Sequence, residues 1–115
     1  MKKAHLFYSD LYKENFVFMP GFTQKQVDSF TKKLKIESID IEECEGKTMF
    51  CDGFVLIWSR YKDKSFESLS TLVHECIHAS WMILDWKGIP VSLENDDTQA
   101  YLVEWILENC YKALK

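Results

Sequence analysis

Apolar positions come in short clusters, and the spacing within each cluster predicts the element it forms. Residues 5–8 and 16–19 are short apolar-aromatic runs that read as strands, and Pro20-Gly21 breaks the chain after the second. Thr23-Gln24-Lys25-Gln26 is a capping-box pattern, with Thr23 at the N-cap and Gln26 three residues on. Val27, Phe30 and Leu34 follow at helical spacing, which predicts a helix over residues 23–35. Residues 36–43 alternate imperfectly through Ile36, Ser38, Ile39 and Ile41 and read as a further strand. Residues 48–51 and 54–58 flank Asp52-Gly53, a hairpin signal, because glycine tolerates the positive φ a tight turn needs. The second of these runs is apolar without alternation, which predicts a strand covered on both faces.

Ser65 is a good N-cap for the next helix. Phe66, Leu69, Val73, Ile77, Ser80 and Leu84 recur at three and four and predict the stripe that packs on the sheet, before Gly88 and Pro90 end the helix. A last helix opens at Glu94-Asn95-Asp96-Asp97 and runs to about Leu114, its acidic first turn suited to the positive end of the helix dipole. Leu102, Trp105, Ile106, Cys110 and Ala113 form its apolar face. No linker or internal repeat interrupts the pattern. The expectation is one α+β domain over residues 1–115, a small antiparallel or mixed sheet with about three helices on one side.

Composition narrows the partners. Of 115 residues, 47% are hydrophobic and 28% charged, a balance that supports one globular core. The net charge is -4, and the only basic cluster, Lys32-Lys33 with Lys35, reads as a solvated helix face, which argues against nucleic acid. No apolar run approaches the ~18 residues of a membrane-spanning helix. Met1-Lys2-Lys3 has the charge of a signal peptide, but His5, Tyr8, Ser9 and Asp10 interrupt the apolar stretch that should follow, so a cytoplasmic protein is expected. Cys44, Cys51, Cys76 and Cys110 have no C-x-x-C spacing and read as free, buried thiols.

The chemistry lies in His74-Glu75-Cys76-Ile77-His78, an H-E-x-x-H motif within the predicted second helix. Histidines four apart sit one turn apart on one face, so both rings reach one metal ion, and Glu75 is placed to take a proton from a metal-activated water. On the predicted stripe His74 falls at the margin, His78 further out and Glu75 beyond it. Cys76 points away from the histidine face. The motif is short and recurs in unrelated proteins, but here it lies on a long helix, behind a strand and ahead of a helix whose first turn carries carboxylates. A catalytic zinc needs three protein ligands and an open position. Asp97 is favoured for the third, then Glu94, then Asp96; small Ala100, one turn on, lets the helices approach. His5 reads as an ordinary strand histidine, and Trp81, Trp86 and Trp105 as core fillers.

His74-Glu75-Cys76-Ile77-His78 followed by Asp97-Thr98-Gln99-Ala100 resembles the gluzincin arrangement, in which an acid three residues before a small residue on the next helix is the third zinc ligand. The stretch from Asn95 to Tyr101 is similar to that of very small phage- and prophage-encoded metallopeptidases, and the likeness covers roughly the last sixty residues. Larger gluzincins carry Glu where this chain has Asp97. The resemblance implies a zincin-like fold with zinc on His74, His78 and Asp97, and Glu75 as general base in peptide-bond hydrolysis. It also implies that residues 54–58, or their hairpin partner, pair with the backbone of a peptide or protein substrate. Tyr101 is on the Asp97 face, and packing between the helices is its simpler role. For a phage protein the compartment would be the host cytoplasm. The alternative is a non-catalytic, zinc-stabilised protein that binds a host protein.

Overall fold

The apolar runs FVFM and FVLIW form the two strands at the centre of the sheet. The computed structural model describes residues 3–51 and 53–115. Strands β1 (His5–Ser9), β2 (Glu14–Pro20), β3 (Gly46–Cys51) and β4 (Phe54–Ser59) make one mixed sheet in the order β1-β2-β4-β3. β1 and β2 are antiparallel, β3 and β4 are antiparallel, and β2 runs parallel to β4 with Phe16 opposite Val55 and Phe18 opposite Ile57. Helices α1 (Gln24–Leu34), α2 (Phe66–Trp86) and α3 (Asp96–Tyr111) complete an α+β fold, with a 3-10 turn at Leu93–Asn95 before α3.

The helices do not share one side of the sheet. Phe16, Phe18, Val55 and Ile57 point to a core completed by Leu72, Cys76, Ala79 and Ile83 of α2 and Leu102, Ile106 and Cys110 of α3. Val17, Met19, Leu56 and Trp58 point to the opposite face, where Val27 of α1 packs with Phe22, Ile39 and Ile41. Since successive strand residues face opposite ways, a strand covered on both sides must be apolar throughout, and the unbroken runs follow.

Local signals set the helix starts. Thr23 Oγ1 accepts from the Gln26 amide at 3.2 Å while Gln26 Oε1 accepts from the Thr23 amide at 2.8 Å, closing the capping box. Ser65 Oγ accepts from the Ser68 amide at 3.2 Å and caps α2. Gly53, at φ 84°, stands in the β3–β4 turn; its neighbour Asp52 lies outside the described residues.

Residues 36–43 are not a strand. Their backbone groups are taken up by α1 instead: Gln24 Nε2 donates to the Ile39 carbonyl at 2.8 Å, and Gln24 Oε1 accepts from the Ile41 amide at 2.9 Å. This satisfies the backbone locally and lets Ile39 and Ile41 bury without a ladder partner.

The buried stripe of α2 keeps part of the predicted one, with Ser80 and Leu84 wholly buried and Leu69 packed against the core, but it departs at Phe66 and Val73. Phe66 is 83% exposed and Val73 also reaches solvent, whereas Leu72, Cys76, Ala79 and Ile83 are wholly buried. Trp81 and Trp86 are exposed rather than core fillers, while Trp105 packs edge-on against Phe7 and Phe16. No helix among the described residues is long and apolar enough to cross a membrane.

Candidate functional site

The stripe sets the orientation of the motif. With Leu72, Cys76 and Ala79 toward the core, His74 and His78 lie on the outward side of α2, His74 exposed and His78 half-buried. Their Nε2 atoms are 3.1 Å apart and the rings meet edge-on at 4.8 Å. Two imidazole nitrogens on one tetrahedral zinc stand roughly 3.3–3.4 Å apart, given bonds of about 2.0–2.1 Å. The observed separation is slightly shorter and is also that of a hydrogen bond, so a small parting of the rings would bring both nitrogens onto one metal ion. Trp81, one turn on, stands edge-on to His78 at 6.0 Å and walls that side.

Glu75 is not the outermost of the three, as the predicted stripe had it. It is only 6% exposed and its carboxylate lies against β3. Thr48 Oγ1 donates to Glu75 Oε1 at 2.8 Å, and the same hydroxyl lies 3.2 Å from the Glu75 backbone carbonyl. Close packing with β3 requires Gly46: a Cβ there would sit 2.8 Å from Glu75 Cγ and 2.9 Å from Oε2. Thr48 and Gly46 carry no motif signal, and only the β3–α2 contact reveals them.

A hollow of about 370 Å³ opens here, lined by Glu45, Gly46, Ser70, Thr71, His74 and Glu75. Glu45 reaches it from the chain just before β3. Its carboxylate accepts from Tyr61 Oη at 2.9 Å and from Arg60 at 3.3 Å. The Glu45 hydrogen bond raises the Tyr61 hydroxyl above its ordinary value, so that phenol stays protonated and donating. β3, next to this hollow, is an edge strand, while β4 is interior. Of the two strands expected to meet a substrate backbone, β3 alone has an open edge.

The acids of the 3-10 turn and of the first turn of α3 form no metal-holding set with the histidines. Glu94, Asp96 and Asp97 are exposed. The residue of α3 that reaches this side of α2 is Gln99, which accepts from Trp81 Nε1 at 3.3 Å. Asp97 is two residues earlier, about 200° around the helix, and so faces elsewhere. Among the described residues no three His, Cys, Asp or Glu side chains stand together as a metal-holding set.

Tyr101 is 71% exposed rather than packed between helices. Cys76 points into the core, as its place in the motif predicts, and lies beside Cys110. Burial first, and then Cys76, push the Cys110 thiol up, so that sulfur stays protonated and inert. His5 lies in β1, stacked obliquely near Phe7 and remote in sequence from the motif.

No protein-family model matches the chain, and neither a curated protein nor a solved structure matches it.

Proposed function

We propose that the chain is a zinc-dependent hydrolase, a minimal metallopeptidase of gluzincin type acting on a peptide or protein. The observation that carries this reading is the convergence of His74 Nε2 and His78 Nε2 to 3.1 Å beside a hollow that His74 and Glu75 line. When bound, zinc would supply Lewis-acid polarisation of the scissile carbonyl and of the attacking water. Glu75 would take the proton from that water and pass it to the leaving amine. Thr48 occupies Oε1, which leaves Oε2 to accept. The open edge of β3 offers backbone groups to an extended substrate.

His74 and His78 supply two ligands, and the third is the part of the site the fold does not assemble. Asp97, which the resemblance assigns to it, is the acid to test first. A second reading is a zinc-braced protein that binds a host protein without cleaving it. The burial of Glu75 and its bond to Thr48 favour that reading, since a carboxylate so placed also ties α2 to β3.

Metal content of the wild type, His78→Ala and Asp97→Ala, measured beside cleavage of a random peptide library, tests both. About one zinc per chain, lost in His78→Ala, with cleavage abolished in a metal-retaining Glu75→Gln, is the expected result. Zinc kept by Asp97→Ala would move the third position to another group. Zinc without cleavage would favour the braced binder, and a wild type that takes up no zinc would exclude both.

A further inference from the structure

The β1–β2 turn and α3 enclose a second hollow, of about 550 Å³, that shares no residue with the histidine site. Its walls are aromatic: Tyr8 and Tyr12 come from the turn side, Tyr101 and Trp105 from α3. Asp10 and Thr98 add polar atoms to the lining.

The walls are held in place. Ser9 is buried, its Oγ accepting from the Tyr12 amide at 3.0 Å and its carbonyl from the Lys13 amide at 2.7 Å. Lys13 closes the turn at φ 56°. Trp105 is anchored by ring contacts of 5.5 Å to Phe7 and 5.6 Å to Phe16. The turn backbone and the Trp105 wall are therefore preformed features of the fold.

Its chemistry points to a cation. Aromatic faces carry negative quadrupole charge and attract ammonium and guanidinium groups. The Asp10 carboxylate makes no hydrogen bond or ion pair with any described residue, and no Lys or Arg lines the hollow. Asp97 lies one turn before Tyr101 on the same helical face, and Glu104 one turn after it, so the rim is negative along α3. Tyr8 and Tyr101 are exposed, so their rings are open to a ligand.

We propose that this cleft binds the basic side chain, arginine or lysine, of a peptide or protein partner, with Tyr101 and Trp105 against its flat or methylene face and Asp10 paired with its charge. This does not depend on the metal reading, because the two hollows share no lining residue, and Asp97, the acid to test as a zinc ligand, lines neither.

The test is a titration of the isotope-labelled full chain with N-acetyl-arginine amide, followed by NMR, with N-acetyl-citrulline amide as the neutral isostere. The arginine probe is expected to shift the Trp105 indole and the amides of residues 8–13, and the citrulline probe to bind at least about fivefold more weakly. Asp10→Asn should bring arginine down to the citrulline level, and Tyr101→Ala should weaken both. Both substitutions are at the exposed lip, and an otherwise unchanged spectrum confirms that the fold is intact. Equal binding of the two probes, arginine binding indifferent to Asp10→Asn, or no shift up to about 50 mM probe would overturn the proposal.

Discussion

Gly46 and Thr48 show how tightly single side chains bind α2 to β3. A methyl group on Gly46 would meet the Glu75 side chain at 2.8 Å and Thr71 Cγ2 at 3.0 Å, and Glu75 is too buried to swing aside freely. Gly46→Ala should therefore lower stability by about 1–3 kcal/mol, read from urea unfolding, with the slope unchanged. Thr48→Val keeps the shape but leaves Glu75 Oε1 buried without its donor, and should lower stability by about 1–3 kcal/mol, while Thr48→Ser restores most of it. Equal stability of Thr48→Val and wild type would mean that water replaces the hydroxyl. The motif was legible in the sequence because histidines four apart share a helix face in any fold. What holds Glu75 was not, because Thr48 and Gly46 meet it only once a strand distant in sequence is laid against the helix.

Among the elements, α2 separates what periodicity can tell from what it cannot. Its start was legible, since Ser65 caps through bonds within one turn. The spacing placed Ser80 and Leu84 in the core correctly, but the rest of the phase was misread because the buried line also runs through Cys76 and Ala79, small residues that weigh little in a hydrophobic pattern, while Phe66 and Val73 weigh much and face solvent. Truncation distinguishes the two stripes: Leu72→Ala should cost about 2–5 kcal/mol, and Phe66→Ala no more than about 0.5 kcal/mol, by thermal or chemical unfolding. A comparable loss at Phe66 would restore the periodicity-based stripe. Residues 36–43 were misread for a related reason, since Gln24 replaces the missing ladder from another element. Asp28 supports that arrangement. Hydrogen bonds from Ser38 and then Gln24 hold its carboxyl below the ordinary 3.8. Those bonds contribute fully above pH 3.8 and fade as the pH falls through the lower folded-state value. Asp28→Asn should flatten the fall of Tm between about pH 4 and pH 2, slightly, because the group is exposed.

At the scale of the molecule, the sheet is closed around a parallel pair, and both of its faces are covered. The apolar continuity of β4 announced this from the sequence, yet the placing of α1 opposite α2 and α3 did not follow from any local pattern. One ion pair ties the layers at their margin: Lys87, just past α2, meets the buried Glu14 at the start of β2 at 3.0 Å. Lys87→Met should destabilise by about 1–3 kcal/mol by leaving that carboxylate without its cation, and the double variant with Glu14→Gln should recover part of the loss. The strand order has a consequence in time. β3, β4 and α2 are neighbours in sequence and can assemble through short closures, whereas β2 must find β4 across about forty residues of chain. The N-terminal hairpin is thus the late arrival in folding. Until it docks, one edge of β4 stands open, and in that interval a refolding solution is most exposed to strand exchange between molecules.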